Sequence, residues 1–133
     1  RLISEAQKTI RIAAYSFTSK DIAVALMAAH KRGVDVKAVL DKSNLKTKYT
    51  SATFLANIGI QIRIDSKYSI MHSKYMIIDG VTVETGSFNY TKAAEQRNAE
   101  NIIILHNQPN VAKQYENNWQ KLWDESEAYK AKY

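Results

Sequence analysis

The sequence predicts an α/β domain in which a mixed, largely parallel β-sheet is flanked by helices on both faces. Three observations carry that expectation. Strand-like apolar runs alternate with helical ones through the first half, an Asp-Gly dipeptide separates two further strand-like runs, and no linker, repeat or shift of composition interrupts the chain.

The elements follow in order. Thr9 to Ser16 reads as a buried strand, and Asp21 to Arg32 as a helix closed by Gly33, a residue suited to a left-handed C-cap. Val34 to Asp41 repeats the strand signal, Tyr49 to Asn57 the helix signal before Gly59, and Ile60 to Asp65 gives a third strand. Alternation of this kind calls for parallel pairing through helical crossovers. Ser73 to Ile78 and Val81 to Thr85 flank Asp79-Gly80, which suits a two-residue type I′ turn and sets Ile78 opposite Val81 in an antiparallel hairpin. Thr91 to Arg97 reads as a short helix and Ala99 to Leu105 as a central strand. A long helix after Pro109 has the apolar stripe Val111, Tyr115, Trp119 and Leu122. Trp119 and Trp123, at helical spacing, read as core or interface material, with a substrate-stacking platform as the other reading.

The 133 residues, 45% hydrophobic and 24% charged, make one domain spanning 1–133 with enough chain to bury its own core. No cysteine is present, which excludes disulfides, thiolate metal sites and cysteine nucleophiles and leaves the compartment undecided. Apolar runs are strand-sized and fall short of the roughly 18 residues that span a bilayer. The excess of 19 Lys and Arg over 13 Asp and Glu, net +6, favours an anionic partner such as nucleic acid or an anionic surface. Arg1 stands where an initiating Met would, so a removed leader and a trimmed chain are both open.

The chemistry concentrates between residues 72 and 100. Side chains alternate along a strand, so His72 and Lys74 project from one face, which Met76 and Ile78 continue inward. With Asp79-Gly80 as the turn, His72 falls opposite Ser87 and one diagonal step from Asn89. The four supply an imidazole able to act as nucleophile or base, an ammonium that attracts oxyanions, and neutral donors for phosphate oxygens. Gly86 permits close approach of the backbone to a ligand, and the helix start near Thr91 offers unpaired N–H groups. The set fits phosphoryl chemistry.

Jointly these residues read His72-x-Lys74-x4-Asp79-x6-Gly86-Ser87-x-Asn89, and that spacing resembles the HKD signature of the phospholipase D superfamily at every fixed position. The match extends to Glu100 in the strand beyond. The short single-motif form and the basic balance look most like the small bacterial endonucleases of that superfamily. The resemblance implies a phospholipase D-like fold and metal-independent cleavage of phosphodiesters, without cofactor, through a phosphohistidine formed between two copies of the signature. This chain has one copy, since His30 and His106 lack the companion residues. A homodimer with one active site on its two-fold axis is therefore implied.

In that scheme one His72 attacks phosphorus and the second, protonated, gives its proton to the leaving alkoxide. Lys74 and Asn89 would hold the non-bridging oxygens and Ser87 would support the same network. Glu100 resembles the acid that bonds the second imidazole nitrogen, a surface pair with Arg97 being the plainer reading. Asp79 belongs to the signature yet lies about 20 Å from His72 along an extended strand, so a structural role is expected of it. Asp35, Asp41, Asp65 and Asp79 show no grouping suited to a metal.

Loops beyond the carboxyl ends of the first three strands hold Lys20, Lys42, Lys46, Lys48 and Lys67. They suit a polyanionic backbone bound in a salt-dependent way, although solvated loop lysines would look the same. The expected activity is that of a non-specific endonuclease on DNA, with RNA also open. The alternatives are a phospholipid phosphodiesterase and a non-catalytic nucleic-acid-binding module. The resemblance further implies a periplasmic or secreted protein without stable membrane association.

Overall fold

The computed structural model describes residues 2–45, 51–68, 71, 73–86 and 102–129. Among them, seven strands form one sheet: β1 (Thr9–Ala14), β2 (Asp35–Asp41), β3 (Gln61–Asp65), β4 (Tyr75–Ile78), β5 (Thr82–Gly86), β6 (Ile102–Leu105) and β7 (Glu127–Ala128). Their order across the sheet is β6-β5-β4-β1-β2-β3-β7. The helices are α1 (Leu2–Glu5), α2 (Lys20–Lys31), α3 (Ala52–Asn57) and α4 (Pro109–Asp124), and Lys42–Leu45 form a single 3-10 turn.

Helices cover both faces, as expected, and strand alternation assigns the side chains. Ile10, Ile12, Val36, Ala38, Leu40, Met76 and Ile78 pack with Leu26 of α2 and Leu55 of α3. Ala13, Val39, Tyr75, Ile77 and Val83 point the other way, against Trp119, Leu122 and Trp123 of α4. Ser19 starts α2 by accepting the Ile22 amide on its hydroxyl at 3.2 Å.

The mixture of strand directions differs from expectation. β1–β2 and β2–β3 are parallel, whereas β1–β4, β4–β5, β5–β6 and β3–β7 are antiparallel. Parallel pairing needs a long crossover, which α2 and α3 provide. The three residues between β4 and β5 are far too few for one, so the second half adds strands in alternating directions.

The hairpin keeps its predicted dipeptide but shifts register. Asp79 and Gly80 both adopt positive φ, 54° and 69°, and the Val81 amide donates to the Ile78 carbonyl at 3.1 Å. The ladder then pairs Ile78 with Thr82 and Ile77 with Val83, leaving Val81 as an extra residue. The shift is explained by burial, because it turns Val83 under α4 beside Ile77. It also aims the Thr82 hydroxyl at the Asn107 amide, 3.2 Å away. The His72–Ser87 pairing drawn from a two-residue loop does not follow from this ladder.

Two further elements depart from expectation. β6 pairs with β5 at the edge of the described sheet and is not a central strand; Ile102, Ile103 and Ile104 are all exposed. The short helix expected at Thr91 to Arg97 lies outside the described residues. In α4 the buried residues are Ala112, Trp119, Leu122 and Trp123, with Val111 and Tyr115 half-buried, so the covered face is rotated from the expected stripe. The two indoles stack with centroids 5.0 Å apart. Trp119 Nε1 donates to the Ile12 carbonyl at 2.8 Å, and the Arg63 guanidinium lies 4.3 Å over the Trp123 ring. The tryptophan pair belongs to the core.

Candidate active site

Register brings Lys74, Gly86 and Ile102 to one end of the sheet. β4 runs antiparallel to β1 with Tyr75 opposite Ala13, so Lys74 arrives at the carboxyl end of β1. Tyr75 also pairs with Thr85, and Gly86 with Ile102, so β5 ends and β6 begins at that same end. The carboxyl ends of the parallel strands β2 and β3 complete it. His72, Ser87, Asn89 and Glu100 lie outside the described residues. Their chain neighbours Lys74, Gly86 and Ile102 are nevertheless the residues that meet here.

Lys74 is buried. Its carbonyl accepts the Thr85 hydroxyl at 3.3 Å, and its ammonium sits 5.9 Å from the ring centroid of Tyr15, which follows β1. A lysine buried at a strand end can bind an anion in a field less screened than at the open surface. Gly86 has φ of 149°, a conformation that side-chain-bearing residues rarely adopt, and it is exposed beside Lys74.

Beneath these residues runs a buried polar turn that was not singled out from sequence. Asn44 donates its amide nitrogen to the carbonyls of Tyr15 and Asp41, each at 2.9 Å. Asp41 accepts the Ser43 amide on Oδ2 at 2.9 Å and the Met71 amide on Oδ1 at 2.6 Å. Its register partner in β3, Asp65, is also buried and accepts the Lys67 amide at 2.8 Å. The sequence signal for such a turn is modest: an Asp closing an apolar strand, followed by Ser and Asn, which favour side-chain-capped turns.

Asp79 occupies the opposite end of β4, about 17 Å of extended chain from Lys74. Its carboxylate accepts the amides of Lys8 at 2.7 Å, Thr9 at 3.0 Å and Gln7 at 3.0 Å. Burial alone would raise its pKa, but the Lys8, Thr9 and Gln7 amides together outweigh burial and hold it below the usual carboxylate range. Asp79 therefore anchors a turn and stands away from Lys74 and Gly86.

The loop lysines are only partly available. Lys67 pairs with Glu125 at 2.8 Å, and Tyr68 donates to the same carboxylate at 3.1 Å. The hydrogen bond between them raises the Lys67 pKa and lowers that of Glu125. Lys42 donates to the Tyr68 carbonyl at 3.2 Å, whereas Lys20 is exposed at the start of α2. Lys46 and Lys48 lie outside the described residues.

A family profile described as "Cardiolipin synthase, PLD-like domain" matches residues 1–123. The chain belongs to the phospholipase D superfamily. Among its relatives in that superfamily, the "Phospholipase D" of Rickettsia conorii is 44% identical over 117 residues, which are 88% of this chain and 58% of that protein. A "Mitochondrial cardiolipin hydrolase" of Xenopus tropicalis is 32% identical over 124 residues, 93% of this chain and 59% of that one. The chain thus spans less than two thirds of the length of these curated relatives. Among solved structures, Nuc of Salmonella typhimurium, described as a phospholipase D family member, superposes with a TM-score of 0.94 at 46% identity, covering 97% of this chain and 86% of its own. NucT from Helicobacter pylori gives 0.88 at 27% identity, covering 96% and 86%. The phospholipase D-like fold implied by the signature is the fold observed. Of the superfamily's signature, the described residues include Lys74, Asp79 and Gly86.

Proposed function

We propose that this chain is a metal-independent phosphodiesterase that cleaves DNA, and RNA where it is offered, without sequence specificity. The observation that carries the reading is the buried Lys74 at the sheet end where the chain neighbours of His72, Ser87, Asn89 and Glu100 converge. In the first step the neutral His72 imidazole attacks phosphorus, a phosphorus–nitrogen bond forms, and the bond to the leaving oxygen breaks as a second imidazolium protonates it. In the second step water attacks the phosphohistidine, the second imidazole accepts its proton, and His72 is released with a phosphate monoester. Lys74 and Asn89 neutralise and orient the non-bridging oxygens, Ser87 supports them, and Glu100 holds the imidazole tautomer.

The second imidazole comes from His72 of the partner subunit in a homodimer. The exposed isoleucines of β6 support that assembly, since an exposed apolar strand at the edge of the described sheet is a ready surface for a second copy. Among the described residues no helix is long and apolar enough to cross a membrane. The reading places the protein in the periplasm or outside the cell, with no stable membrane association.

A second reading, hydrolysis of phospholipid diesters, is favoured by the names of the Rickettsia and Xenopus relatives. The test is nicking of supercoiled plasmid at low salt in excess EDTA, with wild type and His72→Ala side by side, and headgroup release from phospholipid vesicles run in parallel. Nicking by wild type alone is the expected result. Headgroup release without nicking would replace nuclease by lipase, and DNA binding with neither activity would leave a binding module.

A further inference from the structure

We infer that Asp41 is a positioning residue for the site: it grips the amide of Met71, the residue immediately before His72, and so sets where His72 enters. This role presupposes the phosphodiesterase reading, with His72 as nucleophile. Asp41 is the last residue of β2 and is 2% exposed, an expensive place for a carboxylate that merely closes a turn. Its Oδ2 contact with the Ser43 amide is the local turn, which an exposed Asp or Asn would make as well. Its Oδ1 contact is different in kind. It reaches the Met71 amide, thirty residues further along the chain, at 2.6 Å, a charge-assisted length.

The far side of His72 is held as well. Lys74 is tied through its carbonyl to Thr85, and Tyr75 enters the ladder between β1 and β5. Met71 itself is buried in the core under α4. Met71 and Lys74, on either side of His72 in the chain, are thus both anchored, and among the described residues the Met71 amide is held by the Asp41 carboxylate. The same turn reaches Tyr15 through Asn44, and the Tyr15 ring faces the Lys74 ammonium. A nucleophile misplaced by about 1 Å loses on the order of a hundredfold in rate.

Asp65 provides the internal comparison. It is the register partner of Asp41 and 0% exposed, but among the described residues its carboxylate accepts the local Lys67 amide on Oδ1 and its Oδ2 is buried without a hydrogen bond. The experiment compares wild type, Asp41→Asn and Asp65→Asn by kcat and KM on bis(p-nitrophenyl) phosphate, by Tm, and by inorganic phosphate titration followed at the His72 ring by NMR. Asp41→Asn is expected to lower kcat about a hundredfold with KM within roughly threefold, while Asp65→Asn loses comparable Tm and keeps kcat within roughly threefold. Wild-type kcat in Asp41→Asn, or an equal loss in Asp65→Asn, would overturn the assignment. If Asp41→Asn does not fold, Asp41→Glu, which displaces the carboxylate by one methylene, is judged by the same criteria. If the wild type binds phosphate at His72 but turns over no diester, the phosphodiesterase reading fails on its own. The phosphate affinities then decide the positioning role: at least tenfold weaker binding in Asp41→Asn than in Asp65→Asn upholds it, and equal affinities reject it. Absence of both turnover and phosphate binding in the wild type rejects both.

Discussion

Asp79 and Thr9 hold each other by two hydrogen bonds of opposite sense. The Thr9 amide donates to the Asp79 carboxylate at 3.0 Å, and the Asp79 amide donates to the Thr9 carbonyl at 2.8 Å. The pair closes the end of the sheet remote from Lys74, and the amides of Gln7 and Lys8 converge on the same carboxylate.

Asp79→Asn is therefore expected to cost stability and to spare chemistry. The neutral amide accepts these N–H groups more weakly, a loss of about 1–2 kcal/mol for a partly exposed, charge-assisted cluster. The pH dependence has a definite sign. A carboxyl whose pKa is lower in the folded state than in the unfolded chain contributes stability that is complete above the unfolded value, about 3.9. That contribution disappears as pH falls through the folded value. Urea melts of wild type and variant should thus differ most near pH 7 and converge as the pH falls below about 4, with kcat of the variant near wild type. Lost turnover in a fully folded Asp79→Asn would instead give Asp79 a part in the chemistry.

Trp119 makes its contacts inside the molecule, stacking on Trp123 and bonding the Ile12 carbonyl. Trp119→Ala should cost roughly 3–5 kcal/mol, as large core truncations do, and leave KM for nucleic acid unchanged at a temperature where the variant is folded. A raised KM at undiminished Tm would restore the substrate-platform role.

Glu125 neutralises Lys67 at the end of β3. If that lysine lies along the path of a nucleic-acid backbone, Glu125→Gln releases it for phosphate contact. Binding of a DNA duplex should tighten at low salt, and the slope of log K against log salt should steepen by about one. An unchanged slope would place Lys67 off the path.

Much of this architecture was legible because the signals were local. The alternating apolar runs located β1 to β3 and α2, and Asp79-Gly80 located the turn between β4 and β5, since φ above zero at two consecutive positions leaves few other residue choices. What escaped was set by tertiary context. The one-residue slip at Val81 depends on whether Val83 finds its core on the α2 side or under α4, which no window of sequence contains. The edge position of β6 depends on strand order, and three consecutive isoleucines read as buried until the neighbours are known. At the site, Lys74 and Asp79 could be named from spacing, and the remote location of Asp79 followed from strand length alone. The Asp41–Met71 contact could not be anticipated, because its two ends lie thirty residues apart and each looks ordinary by itself.

The last prediction concerns the second imidazole. These 133 residues carry one signature, and in the proposed homodimer the proton transfer requires two copies to face each other, with β6 offering the exposed surface for it. Ile103 is 56% exposed, so a charge there should change the stability of an isolated protomer by no more than about 0.5 kcal/mol. In an apolar interface around a two-fold axis, Ile103→Glu sets two carboxylates near each other in a desolvated seam. The variant should sediment as a monomer with unaltered circular dichroism and should lose about a hundredfold or more of its plasmid-nicking rate, the scale of losing a general acid. Mixing it with His72→Ala should restore nothing, because neither chain can then supply a complete pair. A variant that remains dimeric and active would move the interface away from β6, and one that becomes monomeric yet still cleaves would remove the need for the partner subunit altogether.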